Sequence, residues 1–203
     1  MTELISTTVI SELILTRMCH DIAGISGTVS NAVELLEDGD LDFLEDITTN
    51  LKTSSAVMNA RIKFFRLTFG LNNANLSDAA LVFKTATDYL STIGGRNYNI
   101  NLQMNTIPQE LTKIALVGIM IVADTLIKGG IINAEYQNGK LLISSQSTNP
   151  AKDKIVAVAG CLDESNLQFT AQFAPIFYLK ELLKDSNYNL LLKADECLSL
   201  LIQ

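Results

Sequence analysis

Histidine is nearly absent from this chain: His20 is the single one in 203 residues. Any imidazole chemistry is therefore confined to one place. Cysteine is also sparse. Cys19, Cys161 and Cys197 are odd in number, form no Cys-x-x-Cys and have no second histidine to pair with. They give no zinc signal, fit a reducing compartment and read as small apolar packing residues. Positive charge is short as well, with 15 Lys and Arg against 22 Asp and Glu and a net charge of −7. Such a balance argues against nucleic acid, which rewards clustered cations, and against an anionic membrane surface. The most apolar run, Ile114 to Ala123, is flanked by Lys113 and Asp124. It falls well below the ~20 residues of a membrane span and reads as a buried helix. Glu3 and Glu12 interrupt the start of the chain, where a secretory signal would need a basic residue and then a clean apolar core. With 48% hydrophobic and 18% charged residues, the expectation is a soluble cytoplasmic protein of one large domain or two small ones.

What is present begins with periodicity. Leu15, Met18, Ile22, Ile25, Val29, Ala32 and Leu36 repeat at alternating steps of three and four, a heptad seam. On that register His20 faces away from the seam and toward water. A lone surface histidine on a helix is usually just a solvated residue. Asp21 beside it suggests more, because a carboxylate accepting from Nδ1–H fixes the tautomer and leaves Nε2 free as a nucleophile. Residues 5 to 69 read as two long helices, each of about 30 residues and roughly 45 Å, with a turn at Glu37-Asp38-Gly39 and Asp40 capping the second. Leu44, Leu51, Met58 and Phe65 recur at heptad spacing on the second helix, with Ile47, Ile62 and Phe69 filling the alternate positions. Two helices cannot enclose both stripes. Either a second copy completes a four-helix bundle or the hairpin packs on the rest of its own chain.

Leu71-Asn72-Asn73-Ala74-Asn75 reads as a linker, and beyond it the pattern mixes helices and strands. Ser77 is placed to cap a helix running to Ile93 and ended by Gly94-Gly95. Tyr98, Ile100 and Leu102 alternate with polar residues as a strand. Pro108 opens an apolar helix expected to stop at Gly129-Gly130. Ile131 to Tyr136 and Leu141 to Ser145 flank Asn138-Gly139, a strong hairpin signal. A helix is expected near Thr170 to Leu183, kinked or begun by Pro175, and Tyr188 to Lys193 with Cys197 to Ile202 form a closing hairpin. The fold class expected is α+β, with a helical hairpin over residues 1–70 and an α/β domain over 76–203.

Three stretches carry a family resemblance. Arg17-Met18-Cys19-His20-Asp21-Ile22 with Asn31-Ala32-Val33-Glu34-Leu35-Leu36-Glu37 resembles the phosphoacceptor helix of the ChpT-type histidine phosphotransferases of alphaproteobacteria. Ala60-Arg61-Ile62-Lys63-Phe64-Phe65-Arg66-Leu67-Thr68-Phe69-Gly70 resembles the end of that family's second helix. Val122 to Gly130 resembles its C-terminal domain. The resemblance implies a homodimer with a central four-helix bundle and two exposed histidines, each half carrying a degenerate relative of the sensor-kinase ATP-binding domain. In keeping with that, the helix around Ile119 to Lys128 has no asparagine, and no Asp-x-Gly-x-Gly occurs. Gly94-Gly95, Gly129-Gly130 and Gly160 read instead as turns and caps. Groups to hold Mg²⁺ and phosphates are thus missing, and transfer from ATP would lack its charge stabilisation.

The function implied is that of a phosphorelay intermediate. His20 would take a phosphoryl group from the receiver-domain aspartate of a hybrid histidine kinase and pass it to a response regulator. Asp21 would orient the ring, and Arg17, one turn before His20, would either steady phosphoryl oxygens or be an ordinary solvated arginine. No cofactor is expected in this chain, since the receiver brings its own Mg²⁺. Sensor kinases often carry Thr or Asn four residues after the histidine, but here that position is Gly24. Gly24 and Gly27 would let a partner's backbone approach closely or permit tight packing, and Arg61 and Phe64 would belong to the docking surface or to the bundle. Three rival readings remain open: a sporulation-type phosphotransferase of similar plan, a non-catalytic dimeric scaffold that binds response regulators, and an ATP-dependent histidine kinase.

Overall fold

The computed structural model describes residues 5–37, 43–71, 74–93, 98–184 and 186–203. Two antiparallel helices come first, α1 (Thr7–Glu37) and α2 (Leu44–Phe69). The expected turn at Asp38-Gly39, the cap at Asp40 and the Gly94-Gly95 stop lie outside the described residues. After α2 the chain makes a 3-10 turn and enters α3 (Ala79–Leu90), then β1 (Ile100–Met104) and α4 (Gln109–Ala123). The remainder runs β2 (Gly130–Gln137), β3 (Lys140–Gln146), α5 (Lys152–Leu162), α6 (Ala174–Lys184), β4 (Leu190–Ala194) and β5 (Leu198–Ile202). The architecture is α+β. Among the described residues five strands lie in the order β1-β2-β3-β5-β4, with β1 and β2 parallel and the other pairs antiparallel.

Alternation sets which face of the sheet is covered. Ile132, Ala134, Leu141, Ile143, Leu198, Leu200 and Ile202 all point to one side and are fully buried there. Against that side lies α4, which is buried nearly all round, as its unbroken apolar run requires. At Gly118 an added methyl would run into the Ile143 side chain, so glycine lets α4 settle onto the sheet. The β2–β3 turn is formed by Asn138 and Gly139 at φ 53° and 79°, the left-handed pair that a two-residue hairpin needs.

Several expectations are corrected. Helix α4 ends at Ala123, before Gly129-Gly130, because Thr125 folds back onto the Val122 carbonyl at 2.7 Å. Asp78, not Ser77, caps α3, accepting from the Leu81 amide at 3.0 Å. Helix α5 was not expected at all. Gly160, read as a turn, sits inside it where the returning loop crosses, with Asn166 Cβ 3.2 Å from where a methyl would stand.

The hairpin does not stand free of the rest. Ile10 and Ile14 of α1 and Phe64, Phe65 and Leu67 of α2 belong to one continuous core with α3, α4 and α6. Phe64 stacks on Tyr89 with centroids 3.9 Å apart, and Lys113 Nζ donates to the Gly70 carbonyl at 2.6 Å. The base of the hairpin thus packs on its own chain. The seam is shifted at this end: Ile10 and Ile14 are buried, while Leu15 is 60% exposed. Among the described residues no helix is long and apolar enough to cross a membrane.

Candidate functional site

His20 lies near the middle of α1 with its side chain 87% exposed. Helix α1 turns inward a stripe that is buried at Ile10 and Ile14 and half-buried at Met18, Ile22 and Ile25, which leaves His20 on the far side. The surface that follows it is shallow. A methyl built on Gly24 or Gly27 meets nothing within 4 Å, and Ala23 is exposed beside them. A partner's backbone can therefore come close to the imidazole.

Asp21 is next to the histidine but turned partly inward. Its Oδ1 stands 3.6 Å from His20 Nδ1, within ion-pair reach yet longer than a hydrogen bond. Its Oδ2 accepts from Arg17 Nε at 3.2 Å. Arg17, read as a phosphoryl contact or as a solvated arginine, has its guanidinium bound within the chain instead of projecting along the histidine face. Nη2 and Nη1 donate to Asp124 Oδ1 and Oδ2 at 2.9 and 3.2 Å, a bidentate pair, and Nη1 also reaches the Gln172 carbonyl at 3.1 Å. The fork makes four hydrogen bonds and is 15% exposed.

Arg61 and Phe64 are both engaged within the chain. Arg61 Nη1 donates to the Asp21 carbonyl at 2.7 Å, while Nε and Nη2 reach Thr92 Oγ1 and O at 3.2 and 3.3 Å. It ties both helices of the hairpin to the end of α3. Phe64 has no exposed surface; its ring packs on Tyr89, and removing it would cost about 3–5 kcal/mol.

The residue that sequence reasoning left unassigned is Asp124. It caps the C-terminus of α4, the negative end of that helix, where a carboxylate is unfavourable without a cation. Burial pushes its carboxyl above the usual range, and Arg17 pulls it partly back. Burial alone would depress Arg17, but the charge and hydrogen bond of Asp124, with the charge of Asp21, together outweigh it and hold the guanidinium above its ordinary value. Burial, reinforced by Asp124, also raises the Tyr89 phenol. The signal was available: an acidic residue closing a buried apolar helix needs a partner. Its identity was not, because Arg17 lies 107 residues away. Among the described residues no group of three or more His, Cys, Asp or Glu could hold a metal ion.

Comparison with known proteins adds three findings. No protein-family model matches the chain. The protein phosphotransferase ChpT of Brucella abortus (strain 2308) is 41% identical over 58 residues, which is 29% of this chain and 27% of that protein. The match thus spans about a quarter of that relative, and it bears out the resemblance to ChpT-type phosphotransferases read from the sequence. A solved structure of a bacterial phosphotransferase superposes with a TM-score of 0.76 at 21% identity, covering 98% of both chains. At that identity the likeness speaks for the fold.

Proposed function

We propose that this chain is a histidine phosphotransferase of a bacterial phosphorelay, with His20 as the phosphoacceptor. The observation that carries the reading is His20 itself. It is exposed on the rigid middle of a helix, with a carboxylate near Nδ1 and a glycine-smoothed surface for a docking domain. The Nε2 lone pair of the neutral imidazole attacks the aspartyl phosphate of a receiver domain. A nitrogen–phosphorus bond forms as the phosphorus–oxygen bond breaks, and the receiver's carboxylate is returned. The ring, still protonated on Nδ1, becomes a cation that Asp21 stabilises. The same step run toward a second receiver passes the group on to a response regulator. Mg²⁺ comes with the receiver, and the encounter takes place in the cytoplasm.

The C-terminal half is proposed as a kinase-like ATP-binding domain that no longer binds ATP. Supporting this, α4 has no asparagine and its end is closed by the Asp124–Arg17 pair. A homodimer is proposed through the outer hairpin. At 3.6 residues per turn Leu15 and Val33 lie five turns apart on one line of α1. Both are exposed, as is Leu36 near that line, while His20 lies on the opposite side. A second copy covering this line would complete a four-helix bundle with both histidines free.

The test is transfer without ATP. Incubated with a pre-phosphorylated receiver domain, the protein should acquire acid-labile label on His20 that can be chased to a second receiver. His20→Ala should abolish uptake with the fold unchanged, because an exposed side chain contributes little packing. Receivers that bind while no label reaches His20 would instead establish the scaffold reading, and label on the His20→Ala protein would refute the mechanism.

A further inference from the structure

Asp21 faces two partners at once. Arg17 Nε holds Oδ2 at 3.2 Å, and His20 Nδ1 stands 3.6 Å from Oδ1, just beyond hydrogen-bond length. How far the carboxylate leans toward the histidine depends on how strongly Arg17 draws it. That pull is set elsewhere, because Arg17 is claimed in bidentate fashion by Asp124 at the C-terminal end of α4. Arg61 holds the Asp21 backbone in place through its carbonyl at 2.7 Å, so the side chain is the free element. Tyr89 and Lys154 complete the titratable groups that act on Asp124 and Arg17.

We infer that Asp124 is a positioning residue for the phosphoacceptor: by competing for Arg17 it leaves the Asp21 carboxylate available to His20 Nδ1. This rests on His20 being the acceptor. Asp124 touches no reacting atom and acts through Arg17 and Asp21. Without its charge, Arg17 turns its full attraction on Asp21 and draws the carboxylate from the imidazole. The ring then loses the nearby carboxylate whose charge favours the proton on Nδ1, and Nε2 is more often protonated and unable to attack. The C-terminal domain thereby adjusts the nucleophile across the interface.

One histidine makes the test direct, because the imidazole ¹⁵N signals of the full chain need no assignment. In Asp124→Asn the share of neutral imidazole protonated on Nδ1 should fall. Single-turnover transfer from a phosphorylated receiver should slow about fivefold, a size typical of residues acting through a packed network. In Arg17→Gln/Asp124→Asn the pair is replaced by two amides, neither position leaves an unpaired charge, and Asp21 is released from Arg17. The Nδ1–H share should then rise above wild type. Opposite signs in the two variants are the signature, since loosened packing would not produce them. Should Asp124→Asn fail to fold, the paired variant carries the test by its rise alone. Tautomer shares that stay at the wild-type value, or that move the same way in both variants, overturn the inference. Absence of label on wild-type His20 would instead sink the phosphotransfer reading, which the ¹⁵N measurement does not depend on.

Discussion

Arg17 and Tyr89 show how far a side chain's role depends on what is folded against it. One turn before an exposed histidine, Arg17 on an isolated helix would be a phosphate contact or a solvated arginine; in the folded chain it is bound by Asp124, Gln172 and Asp21. Tyr89 is buried beneath the same network, stacked on Phe64. Its phenol is raised by burial and by Asp124, so the folded chain keeps that proton where an unfolded one releases it near pH 10. The native state then binds more protons, and stability falls as pH rises beyond about 10, by roughly 1.4 kcal/mol per pH unit from this group. Tyr89→Phe keeps the stacked ring and removes the titration. Urea unfolding at pH 9 and pH 11 should show wild type losing more stability than the variant. Equal losses would mean that Tyr89 ionises freely in the native state.

At the scale of the element, α1 is a helix made weaker than it need be. Gly24 and Gly27 lie in its interior, exposed, with open space where a methyl would go. Each costs about 1 kcal/mol relative to alanine. Gly24→Ala/Gly27→Ala should therefore stabilise the protein by about 2 kcal/mol and raise Tm by roughly 4–8 °C. If the glycines admit a docking partner, the same variant should transfer phosphoryl groups more slowly. Calorimetry paired with a transfer assay reads both, and undiminished transfer would show that the glycines do not serve docking. Helix α4 is the converse case, with a glycine at a close approach. Gly118 faces Ile143 and Leu200, so alanine there should destabilise by overpacking instead of gaining helix propensity.

For the whole molecule the question is what covers the outer hairpin. Its base is absorbed into the core, yet Leu15, Val33, Leu36 and Leu44 remain exposed in a single chain. Scattered apolar residues are ordinary on a surface, and a line of them along a paired helix is what the proposed second copy would cover. In analytical ultracentrifugation the protein should sediment at twice its chain mass of 22.2 kDa. Val33→Glu/Leu36→Glu should sediment at the single mass with its circular dichroism unchanged. A wild type that is monomeric at micromolar concentration would remove the four-helix bundle from the model of function.

Much of this was legible along the chain. Alternation at Ile100 and Leu102 marked a strand, Asn138-Gly139 marked a hairpin, and three-four spacing placed His20 on the face of α1 away from its packed stripe. Each is a local property, set by backbone geometry over one or two turns. Helix α5 escaped because Lys152-Asp153-Lys154 and Gly160 imitate a loop, and it is packing by Ile155, Val158 and Cys161 that holds it. The exposure of Leu15, the withdrawal of Phe64 and the capture of Arg17 by Asp124 were settled by tertiary structure. Periodicity says which residues share a face, but not which distant face comes to lie against them. For a charged side chain the partner across that contact determines whether it meets a ligand or holds the fold.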